Sequence, residues 1–402
     1  MAGLVAASEL APHVEVTLFE ALGHLGGDAY TMDVEHAGRR HPVDTGFVVY
    51  TDRTYPEFTR LLARLGVASE VTTMSFSVRD DQRGVEFGTH AMRAMAPRDF
   101  LVREPYQILW DALRFRRHAR RHLGDPELTV GQYLERGRYS TAFQEYLLLP
   151  PCAAVWCAYF DTVRAFPFAR WYPFLERHGF ANVLDPPVWR TVRGGASRYI
   201  EPLAAPFAER VRLRTPVARL ERRAAGGVWV ATADGAPELF DQVVVATHAD
   251  QALGLLAEPS ERERRVLGAF HYSKNDVVVH HDPAVLPLDR RKWSAWNYWL
   301  EHPQRPVVTV TYLMNVLHRF ESDVPFCLSL NRTEAIDPAR IVARFEATHP
   351  RFDLAAFAAQ AELATVSGAD RIHYCGAYFG FGFHEEAVVS GQAAARGVLA
   401  HR

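Results

Sequence analysis

Hydrophobic and polar positions alternate between two periods along this chain. Residues 1–12 carry Ala2, Gly3, Ala6 and Ala7, small residues that predict a helix packed close against another element. VEVTLFE (14–20) alternates and is rich in β-formers, which predicts a strand ending at Glu20. A glycine-rich loop follows over 21–31, and VDTGFVVY (43–50) reads as a strand. Phe58, Leu61, Leu62 and Leu65 fall on one face of an amphipathic helix over 54–66. MSFSVRD and GVEFG predict a hairpin, and from about 92 to 180 the pattern is helical and rich in aromatic residues.

The character changes near 190. RTVRGGASRYIEPLAAPFAERV predicts a Gly-Gly turn opening a helix, and VRLRTPVARLERR and GVWVATADG predict strands. FDQVVVATHAD (240–250) is an apolar run ending in small and polar residues, the pattern of a buried parallel strand and its carboxyl-terminal turn. Residues 251–265 read as helical, 270–330 as further strands and 338–362 as helices. The chain closes from RIHYCGAY onward as strand, glycine-rich loop and helix.

Nucleotide-like strand-to-helix turns thus occur at the start, over 190–250 and at the end. The material between them is first helical and then antiparallel. The expected fold is α/β: a discontinuous Rossmann-like domain of 1–50, 190–250 and 366–402, with a substrate domain of 51–189 and 251–365 inserted twice.

Composition excludes more than it identifies. Among 402 residues, 45 basic and 47 acidic side chains leave a net charge of −2, so no general basic field argues for nucleic acid. Cys152, Cys157, Cys327 and Cys375 contain no Cys-x-x-Cys pair, which argues against structural zinc and fits a reducing compartment such as the cytoplasm. No run reaches the ~18 apolar residues of a membrane span; the longest candidate, 146–160, is interrupted by Pro150–Pro151. His280 and His281 are adjacent on a strand and point to opposite faces, which argues against a metal site. Residues 105–124 mix Ile108, Leu109, Ala112 and Phe115 with Arg114, Arg116, Arg117, Arg120 and Arg121 at helical spacing. Such a helix either lies on an anionic membrane surface or is a solvated face whose Arg stems cover the core.

Candidate chemistry begins at Glu20. A carboxylate at the end of the second strand of a Rossmann unit accepts both ribose hydroxyls of an adenosine, and Gly26 and Gly27 let backbone approach a pyrophosphate. A strand edge followed by a surface glycine turn is the plainer alternative. Gly3 suits the third glycine of a G-x-G-x-x-G fingerprint, with Glu20 near the expected ~20-residue separation.

With these pieces the chain resembles the flavin-containing amine oxidase superfamily. Within it, the chain is similar to bacterial predicted NAD/FAD-binding proteins that accompany cyclopropane fatty acid synthases. The resembling pieces are LFEALGHLGGDAYT (18–31), HPVDTGFVVYTDRTYPEF (41–58), WRTVRGGASRYIEPL (189–203), VVVATHADQAL (243–253), WSAWNY (293–298) and YCGAYFGFGFHEEAVVSG (374–391). They run in family order over nearly the whole chain.

The resemblance implies FAD as cofactor. Gly3 would be the last fingerprint glycine, Glu20 would hold the adenosine ribose, and Gly26 and Gly27 would border the pyrophosphate. Asp44, Thr45 and Gly46 would lie beside the isoalloxazine. Val217 would meet the adenine through its main chain, with Ala246 and Thr247 closing that side. Gly376 would be a second glycine near the pyrophosphate. His384, Glu385 and Glu386 would open a helix whose N-terminus faces the pyrimidine end of the flavin and favours negative charge there. Lys274, at a strand entry, would be the catalytic lysine that binds a water at flavin N5; a surface hairpin lysine is the alternative. Phe379, Phe381 and Phe383 would sit in the loop facing the flavin.

Two departures accompany the resemblance. Asp28 stands where the superfamily often has Arg, and the first strand with its two glycines is missing. The expectation is that Met1 is not the natural start, that roughly ten further residues of strand and G-x-G precede it, and that this chain has a gap beside 14–20 and holds FAD poorly. The activity implied is an FAD-dependent oxidation of a lipid or fatty-acyl substrate by hydride transfer. An amine oxidase on a small amine and a flavin-fold scaffold without FAD are the alternatives. The implied partners are a small-molecule or lipid substrate, a membrane surface through 105–124, and a cyclopropane fatty acid synthase-like methyltransferase.

Overall fold

Helix α1 (Ala2–Leu10) opens the chain in a computed structural model that describes residues 1–89, 104–155, 160–179, 187–233, 235–301 and 309–401. Next come β1 (Leu18–Phe19), the hairpin β2 (Thr31–His36) and β3 (Arg39–Asp44), β4 (Tyr50–Thr51), α2 (Pro56–Arg64) and β5 (Ser69–Val71). The hairpin β6 (Phe76–Asp80) and β7 (Val85–Gly88) precedes helices α3 (Glu104–His118), α4 (Val130–Arg136), α5 (Leu149–Val155), α6 (Phe160–Ala165) and α7 (Phe168–Arg177). The middle of the chain supplies β8 (Trp189–Val192), α8 (Ile200–Ala204), β9 (Val211–Arg212), β10 (Val217–Arg222), β11 (Val228–Thr232), β12 (Glu238–Phe240), β13 (Val243–Val245), α9 (Ala249–Leu255) and α10 (Glu261–Leu267). Then follow β14 (His271–His280), β15 (Trp296–Leu300), β16 (Val310–Leu313), α11 (Met314–Leu317), β17 (Cys327–Leu330) and β18 (Ile341–Arg351). Helices α12 (Leu354–Gln360) and α13 (Leu363–Val366), strand β19 (Ile372–Tyr374) and helix α14 (His384–Ala400) complete the described chain.

The largest sheet has the order β18-β14-β17-β16-β15-β6-β7 and is antiparallel except between β15 and β6. Its inner face sends Val277, Val279, Trp296, Tyr298, Val310, Leu328 and Leu330 into the main core, which the aromatic-rich helices share. Its other face carries a buried polar row. Ser77 Oγ donates to Asn297 Oδ1 at 2.7 Å, Asn297 Nδ2 donates to the Thr311 carbonyl at 3.1 Å, and Thr311 Oγ1 lies 2.7 Å from Ser329 Oγ. His280 Nε2 ends the row 2.8 Å from Ser329 Oγ, and burial pulls its pKa down to about 4, which keeps it neutral. His281 turns instead to the Pro325 carbonyl.

The Rossmann-like part forms two parallel pairs, β1–β9 and β13–β19. Among the described residues β1 and β13 each pair on one edge only. Helix α1 lies between the pairs, and its Leu10 shares a cluster with Ala395 and Val398 of α14, against which Val16 and Val244 pack. The approach is close: a Cβ on Gly3 would stand 2.9 Å from Ala246 Cβ, and one on Gly391 would stand 2.4 Å from the Ala2 carbonyl oxygen. Strands β10, β11 and β12 form a separate antiparallel sheet.

Three sequence expectations change. Residues 43–50 are not one strand: β3 ends at Asp44, and 45–49 cross to the 28–30 segment, where Thr45 N–H donates to the Tyr30 carbonyl and Phe47 N–H to the Asp28 carbonyl. Helix over 251–265 breaks at 256–260, where Ser260 caps α10. Residues 341–351 are a strand rather than a helix. Ile341, Ala343, Phe345 and Ala347 face the protein, while Val342, Arg344 and Glu346 are exposed. That period of two outweighs the Ala/Arg/Glu composition, and Pro350 is tolerated because β18 is an edge strand.

Candidate functional site

The carboxyl ends of the parallel strands converge, which is where an open α/β sheet binds its ligand. Glu20 follows β1; its N–H donates to the Arg212 carbonyl and its Oε1 accepts the Leu22 N–H at 2.9 Å. Segment 213–217 is stitched beside it, Thr215 N–H donating to the Glu20 carbonyl and Arg214 N–H to the Leu22 carbonyl, which places Val217 next to this edge at the start of β10. Gly26 and Gly27 both take left-handed φ, 106° and 58°, and Gly27 has open space where a Cβ would stand. Ala246 and Thr247 lie exposed just past β13. Gly376, just past β19, donates its N–H to Ser390 Oγ of α14 at 3.0 Å.

The N-termini of α1 and α14 point into the same region. The Met1 ammonium is 3.4 Å from the Gly26 carbonyl, and its pKa is lowered by burial against the opposing influence of Asp28, Cys375 and Glu20. The structure therefore brings Gly3, Glu20, Gly26, Gly27, Val217, Ala246, Thr247 and Gly376 to one edge.

Other expected contact residues have protein partners for their side chains. Asp44 is buried; its Oδ1 accepts Thr31 Oγ1–H at 2.6 Å and the Ala196 N–H at 2.9 Å, and its Oδ2 is 3.2 Å from His318 Nε2. Through Oδ1 it clamps the turn that follows β8, while the buried Oδ2 accepts no hydrogen bond among the described residues. Thr45 donates Oγ1–H to the Tyr30 carbonyl, and Gly46 is exposed beside Asp28. His384 stacks on Phe47 at 3.8 Å, and its Nε2 lies 2.7 Å from the Tyr199 hydroxyl; burial drives its pKa far down, so the ring is neutral. Glu385 accepts the N–H groups of Glu57 and Phe58, both at 3.0 Å, and so caps α2. Glu386 accepts the Phe383 N–H at 3.1 Å and caps α14 itself. Burial pushes the Glu386 carboxyl up to about 7, with Glu385 adding in the same direction.

Lys274 is a correction. It lies within β14, its side chain is 73% exposed, and its ammonium pairs with Glu346 of the neighbouring strand at 2.9 Å. Alternation sends its neighbour Asn275 inward instead, to His349 Nδ1 at 2.9 Å and to Asn331 at 2.8 Å. A surface ion pair of this kind reaches no buried reaction centre.

His248, which the sequence did not single out, lies on the face that Lys274 shares with Tyr272 and Thr348. His248 stacks on Tyr272 at 4.2 Å, and its Nδ1 lies 3.3 Å from Thr348 Oγ1. The Tyr272 hydroxyl accepts the Ala249 N–H. Burial lowers the His349 pKa, opposed by the charge of Asp28. His248 directly follows Ala246 and Thr247, and this position was its only signal. The phenylalanines before α14 form the adjoining apolar wall. Phe383 stacks on Phe174 at 5.6 Å and lies 5.3 Å from His178, and Phe381 packs on Phe174 and Phe357. Burial takes His178 down to about 4, so this wall carries no imidazolium near neutral pH.

Residues 1–287 match the family of flavin-containing amine oxidoreductases. The chain belongs to that family. It is an FAD-dependent oxidoreductase, and FAD is its cofactor. Among solved structures it is similar to putrescine oxidase bound to putrescine, at 14% identity over 99% of this chain and 97% of that one, with a TM-score of 0.68. Cyclohexylamine oxidase from Brevibacterium oxydans IH-35A aligns at 15% identity over 100% and 97%, also with a TM-score of 0.68. A CLA-producing fatty acid isomerase from P. acnes aligns at 17% over 98% and 96%, with a TM-score of 0.67. These likenesses establish the shared fold. No curated protein matches the chain by sequence.

The residues present fit FAD at the strand ends. The left-handed Gly26–Gly27 turn with its open side, the carboxylate of Glu20 and the Gly376 turn surround one edge, as an adenosine and pyrophosphate require. Exposed Asp28 supplies no cation there.

Proposed function

We propose that this oxidoreductase acts on a lipid or fatty-acyl substrate. The observation that carries the reading is the apolar wall of Phe174, Phe381 and Phe383 around the neutral ring of His178. Among the described residues the side chains of that wall are themselves uncharged, with the Glu386 carboxyl held behind Phe383 as a helix cap, and an alkyl chain gains by burial against them, at about 25 cal/mol per Å² of apolar surface. The structural likeness to a fatty acid isomerase supports the same reading.

FAD, when bound, supplies the hydride acceptor. In this reading Glu20 binds the ribose hydroxyls, and the Gly26–Gly27 and Gly376 turns admit the pyrophosphate. Val217, Ala246 and Thr247 bound the adenine side. The phenylalanine wall orients the acyl chain and excludes water. His248, Tyr272 and His349 are the polar groups beside it that can hold a proton. In this reading a cyclopropane fatty acid synthase-like methyltransferase is the proposed functional partner, and its lipid products are candidate substrates.

Anaerobic mixing of the FAD-loaded enzyme with a panel of fatty acids, cyclopropane fatty acids, phospholipids and small amines tests this. Bleaching of the visible flavin band by acyl compounds and not by amines is expected. Bleaching by amines alone would assign the enzyme to amine oxidation, the activity carried in the names of putrescine oxidase and cyclohexylamine oxidase.

A further inference from the structure

We infer that the outer face of α3 is a docking surface for an anionic lipid bilayer. The helix divides its side chains sharply. Ile108 and Phe115 are buried, and Phe115 sits among Tyr133, Tyr139, Phe143, Trp171 and Tyr172. On the opposite side Leu109, Trp110 and Leu113 are 53%, 68% and 56% exposed. Their spacing of i, i+1 and i+4 keeps them on one face, and Tyr106 continues it one turn earlier. Three large apolar side chains together in water form a patch rather than scattered exposure, and such patches mark interaction sites.

The same face continues toward the carboxyl end as Arg116, Arg117, Arg120 and Arg121, all exposed. Arg120 is held by Glu176 at 2.7 Å, which leaves Arg116, Arg117 and Arg121 to dominate the local field. Asp111 is the one acidic residue between 105 and 124; it is buried and paired with Arg114 at 2.9 Å. A run of apolar contacts bordered by arginines and free of exposed acid complements a surface of acyl chains under anionic headgroups. Tryptophan favours that boundary, and Arg stems reach from the apolar layer to the phosphates. Among the described residues no helix is long and apolar enough to cross a membrane, so the helix would lie along the surface rather than span it. The inference is independent of the substrate, because it rests on side chains outside the flavin edge.

Co-sedimentation of the full FAD-loaded protein with vesicles tests it. Binding to phosphatidylglycerol-containing vesicles, weak binding to pure phosphatidylcholine and loss with rising salt are expected. The triple variant Arg116→Gln/Arg117→Gln/Arg121→Gln should weaken binding by roughly fivefold per arginine, the equivalent of ~1 kcal/mol each, or on the order of a hundredfold together. Leu113→Asp should abolish it at unchanged salt. Brominated acyl chains should quench the wild-type emission more than that of Trp110→Phe. All these positions are exposed, so unchanged melting curves are expected and serve as the folding control. Equal sedimentation of wild type and triple variant would overturn the inference. So would a dimer in sedimentation velocity that Leu113→Asp dissociates while vesicle binding stays unchanged, since the face would then belong to a second copy of the chain. Flavin reduction by a soluble short-chain acyl substrate should be the same in every variant, which separates failure of this inference from failure of the substrate assignment.

Discussion

Glu386 sits in an environment where one proton matters. Its carboxyl is buried at the start of α14, accepts the Phe383 N–H and stands next to Glu385, and its pKa rises from the ordinary glutamate value of about 4.3 to about 7. The folded state therefore binds this proton more tightly than the unfolded chain does. The resulting stability is fully present below the unfolded pKa and is lost as pH rises through the folded one. Glu386→Gln keeps the shape and the capping oxygen but cannot ionise. Denaturant unfolding of both proteins from about pH 4 to about pH 8 should show wild type losing on the order of 3 kcal/mol relative to the variant. Parallel profiles would show that the carboxyl does not titrate in this window. The residue scale is also where the sequence was least legible. Lys274 and Asn275 are adjacent, and alternation alone cannot tell which faces the interior until the pairing of β14 with β18 fixes it. The His-Glu-Glu run was legible as a helix start, yet the directions of His384 and Glu385 depend on Tyr199 and on Glu57 and Phe58, far away in sequence.

At the scale of elements, α2 shows how a legible helix can depend on an illegible cap. Its apolar stripe of Phe58, Leu61 and Leu62 was plain from the period, and Pro56 suits the first turn. Its N-cap residue, Tyr55, offers no side-chain acceptor. The missing acceptor comes from Glu385, 328 residues from Glu57, and no local motif announces a pairing over that distance. Glu385→Ala should therefore destabilise the protein by about 0.5–2 kcal/mol, the usual cost of losing a helix cap. Amide exchange should rise first at Glu57 and Phe58. Glu385→Gln, which retains one acceptor oxygen, should restore part of the protection; unchanged exchange at both amides in the alanine variant would remove the carboxylate as the cap. Strand β18 makes the complementary point. Its alternation was present in the letters, but alanine and charged residues mimic a helix until β14 supplies a partner.

On the whole-molecule scale, the two parallel pairs β1–β9 and β13–β19 carry the proposed flavin edge, and among the described residues α1 joins them by packing rather than by strand hydrogen bonds. Strand β13 was legible from its apolar run and β19 from the strand pattern that closes the chain, whereas of the strand expected over 14–20 only Leu18–Phe19 forms. The division into two pairs appeared in the sequence only as an expected gap beside 14–20. The junction depends on close approach between α1, β13 and α14, and glycines make it possible. A methyl group at Gly391 would come 2.4 Å from the Ala2 carbonyl oxygen and 3.1 Å from Val5 Cβ, both backbone or stiff branched positions with little room to move. Helix propensity alone favours alanine over glycine by about 1 kcal/mol. Overpacking a close contact costs typically about 1–3 kcal/mol. At Gly391 the second effect should win, so Gly391→Ala should lower the melting temperature. It should also weaken FAD retention, because pushing α1 outward moves Gly3 off Ala246 and shifts the end of the edge that the cofactor needs. Gly254 is the control: it lies in α9, and a methyl group there would meet nothing within 4 Å, so Gly254→Ala should be neutral or stabilising and leave FAD binding intact. Equal melting temperatures and equal FAD release for the two variants would mean that α1 is not the element holding the two strand pairs in register.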